Sequence, residues 1–82
     1  MRMLVTALPA EFDKYDLQRL FNPFGWVSYC KIYMDPITGK SKRRGLVEIT
    51  DDVLAQKAMD TLQGKVIGAN PISIKEVKEK KY

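Results

Sequence analysis

Apolar and polar residues alternate over residues 2–8. Met3, Val5 and Ala7 fall on one side of an extended chain, and Arg2, Leu4 and Thr6 on the other, as side chains do in a strand. Pro9-Ala10 ends this first strand, because proline has no N–H for a ladder. From Asp13 the period lengthens. Leu17, Leu20, Phe21 and Phe24 recur at helical spacing and define a stripe for the core, with Asp13 as N-cap and Asp16 in the capping-box position. Asn22-Pro23 disturbs the last turn and Gly25 stops it.

A second strand is predicted over Trp26 to Met34, with Cys30 and Ile32 turned inward and Tyr29, Lys31 and Tyr33 on the open side. Trp26, at its start, is expected to pack against the end of the first helix, with an anchoring contact at the sheet's edge as the alternative. Asp35-Pro36-Ile37-Thr38-Gly39 is a turn. Lys42 to Ile49 forms the third strand. Gly45, Val47 and Ile49 share its inner face, and Arg44, Leu46 and Glu48 its outer one, so the two strands read as an antiparallel hairpin. The glycine marks a place where another element packs closely.

Asp51 and Asp52 put negative charge at the start of a second helix, where it favours the helix dipole. Ala55, Ala58, Met59 and Leu62 form its apolar stripe, Gly64 closes it, and Val66 and Ile67 make a short apolar step before Gly68. Ile72 and Ile74 define a last strand with Ser73 and Lys75 on its open face. Past Val77 the pattern dissolves into charge, so a domain of residues 1–77 is expected, followed by a frayed basic tail of residues 78–82. Strand, helix, strand, strand, helix, strand is the order of a ferredoxin-like α+β fold. It has a four-stranded antiparallel sheet with two helices on one face, and the other face is left open.

At 82 residues the chain makes one domain, and its 45% hydrophobic content is that of a globular protein rather than a disordered one. Its net charge of +4 matters less than where the charge lies. Lys40, Lys42, Arg43 and Arg44 cluster at the hairpin mouth, and Lys75, Lys78, Lys80 and Lys81 near the C-terminus. The single cysteine, Cys30, excludes an intramolecular disulfide and reads as a structural thiol; without histidine, no zinc site is expected. No apolar run approaches the roughly 18 residues of a membrane-spanning helix, and Met1 to Val5 lacks the apolar core of a signal peptide. An intracellular, cytoplasmic location follows as an expectation. There is no nucleophile–base pair, no Cys-x-x-Cys and no phosphate loop. Neither catalysis nor a cofactor is therefore expected.

The octet Lys42-Arg43-Arg44-Gly45-Leu46-Val47-Glu48-Ile49 resembles the RNP1 pattern of the RNA recognition motif family, Lys-Gly-Phe-Gly-Phe-Val-x-Phe, at its first, fourth and sixth positions. Met3 to Leu8 resembles the RNP2 hexapeptide. Further likenesses are Asp16-Leu17 with Leu20-Phe21 and Phe24-Gly25, Asp35 with Thr38-Gly39-Lys40-Ser41-Lys42, and Leu62-Gln63-Gly64-Lys65. In this order and spacing the resemblance covers essentially the whole chain. It implies binding of single-stranded RNA, with single-stranded DNA as a related ligand, on the open sheet face.

In such domains bases stack on aromatics at the second position of RNP2 and the third and fifth of RNP1. Here those positions hold Leu4, Arg44 and Leu46, while Arg43 and Ala7 replace the usual glycine and asparagine. Stacking contributes roughly 1–3 kcal/mol per base, so the substitutions weaken that mode. Arg44 can still stack its guanidinium plane or bond a phosphate. Tyr29 and Tyr33 offer displaced platforms with Lys31 between them, Lys75 adds charge on the last strand, and Lys40, Lys42 and Arg43 are placed to hold phosphates. The rival expectation is a protein-binding surface. If the first and third strands are neighbours, Leu4 and Leu46 make an apolar patch for a partner, a second copy or the chain's own segment with Val77 and Tyr82.

Overall fold

Alternation produces β1, Arg2–Thr6, in the computed structural model, which describes residues 1–78. Met3 and Val5 are fully buried, and Arg2, Leu4 and Thr6 lie on the other side. The strand is shorter than the pattern predicts. Ala7 adopts a left-handed backbone with φ 64°, is exposed rather than inward, and lets Leu8 enter the core instead. A left-handed alanine costs about 1–2 kcal/mol, and burying the leucine side chain returns roughly 1.5–3 kcal/mol.

Helix α1, Lys14–Phe21, starts at a reciprocal capping box: Asp16 N–H donates to Asp13 Oδ1 at 2.8 Å, and Asp13 N–H donates to Asp16 Oδ2 at 3.1 Å. Pro23 converts its continuation into a 3-10 turn, Asn22–Phe24. Strands β2, Val27–Met34, and β3, Ser41–Ile49, form the hairpin. Helix α2, Asp52–Leu62, is capped by Asp51, whose carboxylate accepts from the N–H groups of Val53 and Leu54. The short apolar step becomes a small hairpin of β4, Val66–Ile67, and β5, Asn70–Pro71, before the last strand β6, Ser73–Val77.

The main sheet has the order β2-β3-β1-β6 and is antiparallel throughout. Both helices lie on one face. Between them and the sheet are Met3, Val5, Leu17, Phe21, Val47, Ile49, Ala55, Ala58 and Ile74. Gly45 permits the closest approach: a Cβ there would stand 2.6 Å from Leu17 Cδ2 and 2.7 Å from the Lys31 carbonyl oxygen. This is the close packing that the glycine in β3 foreshadows.

Two irregularities reshape β2. Val27 pairs with Ile49 and Tyr29 with Glu48, so Ser28 is an extra residue in a bulge. The bulge turns Val27 inward although Tyr29, two residues on, faces out. It also changes the expectation for Trp26. With Val27 in the inward position, Trp26 precedes the strand and is 79% exposed instead of packing on α1. Farther along, Ile32 pairs with Gly45 and Met34 with Ser41, which puts two extra residues into β3.

The outer edge of β6 is filled from within the chain. Gln63 Nε2 donates to the Ile74 carbonyl at 2.6 Å, and Ile74 N–H donates to Gln63 Oε1 at 2.8 Å. One turn away, Gly64 N–H donates to Ile72 O and Ile72 N–H donates to Lys65 O. Of the expected basic tail, Lys78 is exposed; residues 79–82 lie outside the described residues.

Candidate nucleic-acid interface

Strand register arranges the open face in rows. Lys31, Leu46, Leu4 and Lys75 are consecutive partners across all four strands and form the central row. Tyr29, Glu48, Arg2 and Val77 form the row on one side, and Arg44, Thr6 and Ser73 the row on the other. Leu4 and Leu46 are directly opposed and half-buried, with a lysine at each end of their row. Tyr33 lies two residues from Lys31 on the same face, and the Lys31 ammonium sits 4.5 Å from its ring centroid, a cation–π contact.

Charge is distributed unequally along the strands. At the end marked by Tyr29, Arg2 Nε donates to Glu48 Oε2 at 2.9 Å and Ser28 Oγ donates to Glu48 Oε1 at 2.8 Å. The Arg2 hydrogen bond first, then the Ser28 one, holds the Glu48 carboxyl below its usual range. This end is close to neutral. At the other end Lys42, Arg43 and Arg44 are all exposed.

The β2–β3 loop is held by one aspartate. Asp35 Oδ1 accepts from Ile37 N–H at 2.8 Å and Thr38 N–H at 3.2 Å, Asp35 N–H donates to Lys40 O, and Gly39 N–H donates to Asp35 O. The Ile37 and Thr38 amides keep the Asp35 carboxyl below its usual range, and the charge of Lys42 adds a smaller effect. Lys40 thus ends a loop with its own hydrogen-bond frame, and Lys42 follows it near the start of β3. At its tip Ile37 is 93% exposed.

Arg43 is engaged differently. Its backbone is left-handed, with φ 62°. Its Nε donates to the Leu8 carbonyl at 3.0 Å, its carbonyl accepts from Leu8 N–H at 2.9 Å, and its own N–H donates to Ser41 Oγ. Of the residues named from sequence, Leu4, Lys31, Leu46 and Lys75 come together in one row, Tyr33 joins them through Lys31, and Arg44 is in the adjoining row. Tyr29 is in the other adjoining row, beside the Arg2–Glu48 pair. Thr6 and Asn70, beside Arg44, went unnamed as candidates. Alternation already puts Thr6 on the open face, whereas nothing local in the sequence places Asn70 beside Arg44.

Cys30 belongs to the fold. Its Sγ donates to the Lys14 carbonyl at 3.4 Å, and burial pushes the thiol up to about 11.

A family model described as RNA recognition motif matches residues 3–73. The RNA-binding proteins BRN1 and BRN2 of Arabidopsis thaliana are 31% and 29% identical to this chain over 72 residues; the matches take in 88% of this chain but 16% and 17% of those proteins. The crystal structure of RNA binding protein PG1 is similar at a TM-score of 0.92 and 27% identity, covering 100% of this chain and 99% of that one. The second RRM domain of the yeast poly(U)-binding protein Pub1 is similar at 0.85 and 27%, covering 99% and 98%. The first two RNA recognition domains of Drosophila melanogaster Sex-lethal, at 0.89 and 24% identity over 95% of this chain and 50% of that one, share the fold.

Proposed function

The chain belongs to the RNA recognition motif family, a non-catalytic RNA-binding fold, and we propose that it binds single-stranded RNA on the open sheet face and the basic end beside the β2–β3 loop. The observation that carries this reading is the central row, in which Lys31 and Lys75 flank the Leu4–Leu46 pair. Cations on both sides of a small apolar platform suit a chain of bases joined by phosphates. The plant relatives are named as RNA-binding proteins, which supports the same reading.

Electrostatics carries a larger share of the binding here than stacking does. Leu4 and Leu46 give bases an apolar contact but no π face, and the exposed face of the Tyr33 ring is shared with Lys31. Arg44 supplies a planar cation in the next row. Lys40, at the end of the framed loop, and Lys42, near the start of β3, meet phosphates with little ordering cost.

The test is an amide-shift titration of the labelled domain with a randomised pool of short single-stranded RNA at two salt concentrations. Saturable shifts at Leu4, Tyr33, Arg44 and Leu46 that weaken with salt are expected. Each phosphate contact contributes about −0.7 to the slope of log affinity against log salt for a single strand. A silent sheet face in the folded domain would count against the reading and favour a protein partner for the Leu4–Leu46 pair.

A further inference from the structure

Trp26, just before β2, and Met34, its last residue, are 79% and 51% exposed. At the Trp26 end the exposed Leu54 extends the apolar surface; its Cδ1 would stand 3.0 Å from a Cβ at Gly25. At the Met34 end, Phe12, Ile32 and Met34 line a cleft of about 380 Å³ between β2 and the start of α1. An apolar cavity of about 150 Å³ takes up a benzene ring, so this cleft has room for an indole. The charges around it balance, Glu11 and Asp13 against Lys14 and Lys31. The strand between the two patches is also the open edge of the sheet. Among the described residues its backbone hydrogen bonds run to β3 alone, whereas β6, at the opposite edge, is occupied at Ile74 by Gln63.

We infer that β2 is a self-association edge, on which a second copy of this chain pairs antiparallel about a twofold axis. Antiparallel pairing carries the start of one strand to the end of the other, so one operation joins both ends of both strands. Centred on Cys30, it sets Trp26 across from the second copy's Met34, with the indole in that copy's cleft. Chemistry selects this register. A shift by one residue would turn the open face of one copy to the helix side of the other. Pairing centred on Lys31 would oppose two ammonium groups. Pairing centred on Cys30 instead puts Lys31 opposite the exposed ring of Tyr29, a cation–π partner. Copies of a chain with net charge +4 repel one another, and at the balanced β2 edge that repulsion is least. The Ser28 bulge interrupts the backbone pairing, so the two Trp26 anchors carry most of the affinity.

Trp26 is the only tryptophan of the chain, so its emission reports the contact directly. The test is sedimentation equilibrium of the whole chain, free of nucleic acid, over about 1 µM to 1 mM, with the emission spectrum recorded on the same samples. A reversible monomer–dimer equilibrium is expected, with a blue shift of the emission that follows the dimer fraction. Trp26→Ala and Met34→Lys change exposed side chains and should leave the fold intact. Each should raise the dissociation constant on the order of a hundredfold, tenfold for each of the two symmetric contacts. Met34→Lys keeps the reporter, whose emission should stay that of an exposed indole. A monomer at every concentration would overturn the proposal, as would a dimer in which the emission does not move or which Met34→Lys leaves intact. A blue shift seen only on adding a randomised pool of short single-stranded RNA would also overturn it and give Trp26 to the nucleic acid.

Discussion

Arg43 and Leu8 grip each other at both ends of the peptide frame: Arg43 Nε donates to the Leu8 carbonyl at 3.0 Å, and Leu8 N–H donates to the Arg43 carbonyl at 2.9 Å. The clasp ties the end of β1 to the irregular stretch of β3, thirty-five residues away. Arg43→Ala removes the side-chain bond and should destabilise the fold by about 1–2 kcal/mol. Arg44→Ala, on the open face, should change stability by less than about 0.5 kcal/mol while lowering RNA affinity. Urea unfolding of the two variants, with RNA titrations alongside, separates the roles. Equal stability of both variants would show that the clasp contributes nothing.

Gly45→Ala should destabilise by about 1–3 kcal/mol through overpacking. A methyl group would meet Leu17 Cδ2, which can move, and the Lys31 carbonyl, which belongs to the adjoining strand. Adding Leu17→Ala to Gly45→Ala should therefore cost less than the sum of the two single changes. Strict additivity in denaturant unfolding would mean that the two groups do not collide.

Asp16, Asp35 and Glu48 all have carboxyls held below their usual range: Asp16 by the Asp13 amide and Arg19, Asp35 by loop amides, and Glu48 by Arg2 and Ser28. Such groups bind protons more readily when unfolded, so their stabilisation is fully present above the unfolded values of about 4 and fades as pH falls through the lower folded ones. Thermal unfolding should be nearly constant from neutral pH to about pH 5 and decline below it. Glu48→Gln should flatten that decline. An unchanged acid limb in this variant would remove Glu48 from the account.

Cys30 should be a poor nucleophile. With the thiol pushed up to about 11 by burial, its thiolate fraction near neutral pH is about a hundredfold below that of a thiol with a value near 9. Alkylation of the native protein by iodoacetamide should be correspondingly slow and become ordinary in denaturant. Equal rates in the two conditions would contradict the burial.

The element order and the two faces of the sheet were legible because Met3 and Val5, Gly45, Val47 and Ile49, and Leu17 and Phe21 keep strict periods over their elements. The exceptions are positions chosen by distant partners. Ala7 leaves the strand because Leu8 meets both the core and Arg43, and Arg43 is thirty-five positions from it. Val27 faces inward and Trp26 outward because Ser28 is accommodated as a bulge whose hydroxyl bonds to Glu48. In the site, alternation identified the members of each row but not their joint arrangement. The neutral end depends on Arg2 reaching Glu48, and the place of Asn70 beside Arg44 on a hairpin of two-residue strands.

The amide of Gln63, bonded to both backbone groups of Ile74, has a consequence for assembly. A sheet grows into a fibre only if each copy offers an acceptor edge on both sides. Here an incoming strand would find the β6 edge already paired at Ile72 and Ile74. A copy added through β2 presents that same stoppered side, so the stack has no next rung at these positions. The side-chain amide of Gln63 thus occupies, at Ile74, the backbone groups that an added strand would need.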